Sequence, residues 1–393
     1  MNLRILLFVL CSATLTSCAS IHTPKPGTPS YEQAVKETQQ EILNTIDKQE
    51  LLRALAYPIL TANSDLCGVH SIRKLEFEWI TLNDLGIVGR IERDAGAGLG
   101  FGTYPQVTVV TLGSPVHQAG LRKGDTLVSI NQKNIDEDKE RKYLTWLESG
   151  KDHVRLYREK FNETLKSVAV SRLPVSIEYI RGDDTHMIEV LPLPRCNFNL
   201  AVLDHNELSS RTVGNTIVLS SALFDFAEND AEVQFIIAHE IAHRIYRHRP
   251  GKLTPLSMLA IGADVLLNTG AVVTQGIAGV IANDDFGGEL WAPGAVFSRQ
   301  NNRPYRHVLE LEADYLAMYM LARANIDVSD IDIFWERIPS DSQLAEIHVT
   351  EEGRIENMLA IQEELNRKIS AGATLTPSKD RKVQSDSEGS EEN

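Results

Sequence analysis

The chain has no surplus of positive charge. Its 39 lysine and arginine residues stand against 54 aspartate and glutamate, a formal net charge of −15. That balance argues against a partner with a phosphate backbone, so no nucleic-acid role is expected, and it favours simple solubility. Cysteine is scarce, with four in 393 residues. Cys11 and Cys18 fall in the amino-terminal segment, which leaves Cys67 and Cys196 as the one pair available for an internal disulfide. The amino-terminal apolar stretch, Ile5 to Leu10, is too short to span a bilayer as a mature helix. With 42% hydrophobic and 24% charged residues, the chain is a globular protein long enough for two or three domains.

The most informative residues are His239-Glu240-Ile241-Ala242-His243. Two histidines four apart on a helix project from one face and can hold one metal ion. The glutamate between them sits where a carboxylate can take a proton from a metal-bound water. Val233, Phe235, Ile236, Ile237, Ala238, Ile241, Ala242 and Ile245 predict a helix that is largely buried. Asn229 with Glu232 has the pattern of a capping box at its start, and Pro250 closes its end. Polar groups in so apolar a helix need a partner charge, which a metal supplies; a pair of satisfied core histidines is the alternative.

A catalytic zinc takes three protein ligands and leaves one position for water. The extended pattern with a third histidine is missing: Tyr246 and Arg249 stand where it would have glycine and histidine. The other solution is a carboxylate from a separate helix. Residues 306–325 read as that helix, with Leu309, Ala313, Leu316, Ala317, Met320 and Leu321 on its apolar side. Glu310 is the expected third ligand, and Asp314, one turn on, is placed to hydrogen-bond a ligating histidine.

The segment HEIAHRIYRH, followed downstream by ELEAD, resembles the HtpX and CaaX-prenyl-protease type of gluzincin metallopeptidase, in particular its soluble periplasmic branch. The resemblance runs from about residue 192 to 368. It implies one Zn2+ per chain held by His239, His243 and Glu310, with Asp314 as the accompanying aspartate and Glu240 as the general base. Ile347-His348 and the following Arg354-Ile355 are similar to a further segment of that family. By this resemblance His348 stabilises the oxyanion or approaches the metal in a resting state.

Ahead of it lies a segment that resembles a PDZ domain: Gly98-Leu99-Gly100-Phe101, then Val107 to Val110, Ala119-Gly120-Leu121 and Lys123-Gly124-Asp125. Leu99, Gly100 and Phe101 would form the loop that receives a peptide carboxylate, and the next strand would offer a free edge to the peptide. Gly120 and Gly124-Asp125 would make tight turns. Residues 175–191 are the expected closing strands, and 151–173 an insertion without an assigned role.

The amino terminus begins with Asn2-Leu3-Arg4 and an apolar core, and Leu15-Thr16-Ser17-Cys18 looks like a bacterial lipobox. Cys18 is then the lipidated first residue. Ala19 behind it favours the outer membrane, facing the periplasm, and a plain secretory signal is the alternative. In that oxidising compartment Cys67 and Cys196 are either a disulfide or two separate buried thiols. Residues 256–282 are apolar with Asp264 their only charge, and suit a hairpin over the cleft or on the lipid surface, or a membrane span.

The expected architecture is α+β. Residues 1–17 are a lipoprotein signal, 18–30 a tether, 31–80 a helical amino-terminal segment and 81–191 a β-rich PDZ-like domain. Residues 192–368 are a mainly helical gluzincin metallopeptidase domain with a small edge sheet, and 369–393 a disordered tail. The expected partners are polypeptide substrates, misfolded envelope proteins among them, and the membrane through the amino-terminal lipid. Substrate is expected to lie along an edge strand, with residues 216–220 as the candidate. The rival reading is a non-hydrolytic PDZ-containing chaperone or scaffold of the cell envelope.

Overall fold

One long helix, α1 (Pro29–Ala62), ties the two halves of the described chain together. Thr28 starts it by accepting the Tyr31 N–H, and Pro29 at the first position gives up a donor that no helix end can use. At 34 residues it is about 51 Å long. Its first half buries Ile42 and Ile46 against Ile80, Leu85, Ala95 and Val109. Its second half, Leu52 to Leu60, belongs to the large core of the carboxyl-terminal part. The computed structural model describes residues 24–68, 71–134, 172–203, 205–213, 215–248, 307–348 and 353–378. The expected signal segment with Cys18, most of 151–173, residues 256–282 and the end of the tail lie outside the described residues, as do Arg249 and Pro250.

After α1 come β1 (Ser71–Arg73), β2 (Phe77–Ile80), α2 (Leu82–Val88), α3 (Arg90–Gly98), β3 (Gln106–Val110), α4 (Pro115–Gln118), β4 (Thr126–Ile130), β5 (Lys133–Asn134), β6 (Val175–Arg181) and β7 (Asp184–Val190). The strands form an antiparallel sheet in the order β2-β3-β4-β6-β7, with β5 beside β4. Gly120 and Gly124 do turn the chain, at φ +96° and +93°, and Gly182 at φ +61° turns the β6–β7 hairpin within 175–191. The expected free edge is absent. The strand after Phe101 is β3, which lies between β2 and β4. Its partner β2 falls inside the segment expected to be helical: Phe77-Glu78-Trp79-Ile80 is buried at every position, so no alternation marks it as a strand.

The carboxyl-terminal part opens with β8 (Pro194–Cys196), paired with β1, and a three-stranded sheet of β9 (Asn199–Leu203), β10 (Ser210–Val213) and β11 (Thr216–Ser220). Helices α5 (Ser221–Phe226), α6 (Asp230–Ile245), α7 (His307–Arg323), α8 (Ile331–Arg337), α9 (Gln343–Ile347) and α10 (Arg354–Ser370) follow, so the described chain is α+β. β11 is central, parallel to β9 and antiparallel to β10. Residues 216–220 are therefore not the edge expected for a substrate: an all-buried run is what a strand covered on both faces requires. The β9 edge is sealed by Gln49 of α1, whose amide donates to the Leu200 carbonyl (2.7 Å) and accepts the Val202 N–H (3.3 Å). Among the described residues, the outer edge of β10 carries no strand.

Two links fasten the halves. Arg53 of α1 pairs with Glu76 and Glu78, and Arg195 donates to both Glu76 oxygens at 2.8 and 3.0 Å, all four side chains being buried. Cys67 and Cys196 form a disulfide with Cα atoms 5.5 Å apart. Among the described residues no helix is long and apolar enough to cross a membrane. The disulfide closes a loop of 129 residues. Replacing both cysteines by serine is expected to cost about 3–5 kcal/mol in a urea melt under oxidising conditions; an unchanged midpoint would show that the bond contributes nothing to folding.

Candidate metal centre

The site is built where α6 crosses α7. Asn229 caps α6 by accepting the Glu232 N–H at 3.2 Å, but the Glu232 carboxylate turns to the Glu228 N–H at 2.8 Å, so the capping box is only half formed. α6 stops at Ile245, short of Pro250, and every residue from Glu232 to His243 is buried. α7 falls within the expected 306–325 and buries Glu310 and Asp314 completely.

His239, His243, Glu310 and His348 each turn a donor atom to one point, all within 4.8 Å of one another. His239 Nε2 lies 2.9 Å from His243 Nε2 and 3.2 Å from His348 Nδ1. The Glu310 carboxylate is 3.3 Å from both His239 and His243, and 3.2 Å from His348. A tetrahedron of imidazole nitrogens about 2.05 Å from a zinc-sized ion has edges of about 3.3 Å, close to the spacing found. Behind this cluster Asp314 Oδ1 meets His239 Nδ1 at 2.8 Å. Asp314 is gripped in turn by Arg354 of α10, at 2.7 and 2.8 Å. Arg354 also donates to the His348 carbonyl at 3.2 Å and stacks 3.7 Å over the Trp335 ring.

Glu240 points away from the cluster toward the sheet. Ser210 Oγ donates to one of its oxygens at 2.8 Å and Thr212 Oγ1 to the other at 2.7 Å. Two residues apart on β10, these hydroxyls share one face of the strand. His348 Nε2 is 3.2 Å from the same carboxylate. His348 therefore bridges Glu240 and the donor cluster, at the fourth corner of the set.

Glu240, Glu310 and Asp314 are three buried carboxylates beside one buried guanidinium, Arg354. Burial pushes the Glu240 carboxyl up, but the bond to His348 and the charge of that imidazole hold it at about 2. Burial opposes a charge on His348 as well, and Glu310 and Glu240 overcome it, raising that imidazole to about 9. Desolvation and the neighbouring His239 lower His243 to about 4. Ionised carboxylates facing imidazole nitrogens match a divalent cation in donor chemistry and spacing.

The expected site residues His239, Glu240, His243, Glu310, Asp314 and His348 thus converge. Leu99, Gly100 and Phe101 do not form an open donor loop. They finish α3, where their N–H groups donate to the carbonyls of Ala95, Ala97 and Gly96 at 3.0–3.1 Å. Leu99 and Phe101 pack against the cluster around Ile42, and Gly100 takes the left-handed turn at φ +86° that ends a helix. With those donors spent, no carboxylate can be cradled there. Ser210, Thr212 and Trp335 were not foreseen. Their roles depend on sheet order and helix packing, which leave no local pattern.

The arrangement is that of a metallopeptidase-type centre: a helix supplying two histidines and a glutamate, and a second supplying a carboxylate. Residues 193–362 match the model of Peptidase family M48, a similarity that supports a metalloprotease. The chain is similar to metalloendopeptidase OMA1, mitochondrial, of Bos taurus, 22% identical over 199 residues, covering 48% of this chain and 37% of that protein. It is similar to beta-barrel assembly-enhancing protease of Yersinia pestis, 25% identical over 179 residues, covering 43% and 34% of the two chains. The same protein of Escherichia coli K12 is 22% identical over 172 residues, covering 42% and 33%. The matches span only about a third of these relatives' own length.

Asp314→Asn is expected to weaken divalent metal binding roughly 10–100-fold, read by competition with a chromophoric chelator. Wild-type affinity in that variant would mean that Asp314 does not orient His239.

Proposed function

We propose that this protein is a zinc-dependent metalloendopeptidase that cuts polypeptides in the bacterial cell envelope, held there by lipid on Cys18. The observation that carries the reading is Glu240, a buried, ionised carboxylate fixed by two strand hydroxyls beside a donor set matched to one divalent ion. A structural metal site has no use for such a base, which favours hydrolysis over a scaffold. His239, His243 and Glu310 would hold a zinc ion, which would supply Lewis acidity toward a peptide carbonyl and a water molecule.

The chain's own residues do the rest. Glu240 accepts the proton of the attacking water and returns it to the leaving amine. Ser210 and Thr212 keep its two oxygens aimed while it does so. An extended substrate pairs with the outer edge of β10, which carries no strand among the described residues, since Gln49 seals the other edge of that sheet. His348 fills the corner between Glu240 and the ligand set, so this geometry is a closed resting form, and His348 swings aside to admit water. The names of the two bacterial relatives, beta-barrel assembly-enhancing proteases, support a place in envelope protein quality control.

Glu240→Gln is expected to keep stoichiometric zinc and lose at least about 10²-fold in cleavage of an unfolded protein such as casein, the scale of general-base catalysis. Wild-type cleavage by that variant would remove Glu240 from its role, and cleavage undiminished by a chelator would remove the metal. His348→Ala is expected to keep zinc and cleave faster than wild type; slower cleavage would make His348 part of the catalytic machinery instead.

A further inference from the structure

A zinc-bound histidine nearly always donates its other ring N–H to an acceptor that fixes its tautomer and orientation. For His239 that acceptor is Asp314. For His243 the facing group is a third histidine: His243 Nδ1 lies 3.0 Å from His248 Nδ1, and His248 Nε2 lies 3.0 Å from Glu312 Oε2. Nothing in the reaction described above uses either residue.

The backbone builds this contact deliberately. After α6 ends, Arg247 takes a left-handed conformation at φ +58°, uncommon for a residue with a side chain. The turn lets the His248 N–H donate to the His243 carbonyl at 2.8 Å and folds the imidazole back beneath the ligand. Tyr246 flanks it, ring centroids 5.5 Å apart. The His248 side chain is only 5% exposed, whereas Glu312 is 35% exposed, so the chain of groups runs from the buried ligand to the surface.

Proton positions follow from coordination. His243, turned to the donor cluster through Nε2, is neutral and carries its proton on Nδ1, which donates to His248 Nδ1. His248 then carries its own proton on Nε2 and donates to the Glu312 carboxylate. Each acceptor is used once and each N–H has one destination.

We propose that His248 and Glu312 are positioning residues for the metal, a second supporting arm that orients His243 as Asp314 orients His239. The inference rests on the zinc reading and deepens it. α7 then supplies three carboxylates with three tasks: Glu310 binds, Asp314 supports His239, and Glu312 supports His243 through His248.

The test is zinc affinity of the full chain, stripped by chelator and titrated against a chromophoric competitor, so that activity plays no part. His248→Ala is expected to raise the zinc Kd roughly 10–100-fold, and Glu312→Gln to raise it several-fold. Because the two act in series, the double variant should be no weaker than His248→Ala alone. Co2+ in place of zinc should show altered visible bands in His248→Ala, a signature that general loosening of the fold does not produce. Circular dichroism and a melt of the stripped protein check folding; if His248→Ala does not fold, the partly exposed Glu312→Gln decides. A folded His248→Ala with wild-type Kd and cobalt spectrum, or losses that add in the double variant, would overturn the proposal. Weakening by Asp314→Asn but by neither of these would overturn it while leaving the metal reading intact. Wild-type protein that takes up no zinc would overturn both.

Discussion

Charges taken out of water have to neutralise one another, and the helical part of this chain is arranged so that they do so at a single place. Removing one member of a buried ionic set costs about 3–5 kcal/mol, because its partner is left unpaired. Here the members come from elements far apart in sequence. α6 brings His239, Glu240 and His243, α7 brings Glu310 and Asp314, and α10 brings Arg354. Arg354 is the counterweight of the set. It takes both oxygens of Asp314, approaches Glu310 at 3.4 Å, bonds the backbone of His348 and lies flat on Trp335. α10 therefore cannot dock correctly unless α7 is in place, and the residue that supports a metal ligand is also what fixes the last helix.

Within that set, environment separates two glutamates of the same chemistry. Glu310 faces three imidazole nitrogens and is turned to the ligand point. Glu240, one residue from a ligand, is drawn off it by Ser210 and Thr212 and touches the cluster only through His348. A carboxylate held by hydroxyls keeps its lone pairs aimed yet able to exchange partners, as a base requires. A carboxylate bound directly to a metal would not have that freedom.

What could be read in the sequence was what is local. Histidines four apart with Glu240 between them, and Glu310 four before Asp314, keep their meaning in any helix, because the spacing alone fixes the face. The strands within 175–191 and the turns at Gly120 and Gly124 were legible for the same reason. His348 could be named only through family resemblance, since nothing around it announces where its loop returns. β2 was hidden because four buried residues show no period. The Leu99–Phe101 string misled because letters do not reveal whether an N–H is already spent. Residues 216–220 were misread as an edge because strand order is a property of the whole sheet. The hydroxyls of Ser210 and Thr212 were invisible for that reason too.

The same non-local logic decides which edge of the small sheet stays open. Gln49 and Arg53 lie four apart on α1 and so share a face. Gln49 seals β9, while Arg53 joins the buried set of Glu76, Glu78 and Arg195 that fastens the larger sheet to the carboxyl-terminal part. A slip of α1 by one turn would break both contacts at once and take from buried Glu78 the guanidinium it pairs with. Balanced ionic sets of this kind add little net stability but penalise every alternative alignment. The disulfide from Cys67, just beyond the end of α1, to Cys196 on β8 limits the same slip covalently. With α1 held in this register, β9 is closed, β11 is enclosed by its neighbours, and β10 is the strand whose outer side carries no further strand among the described residues. It is also the strand whose hydroxyls hold Glu240.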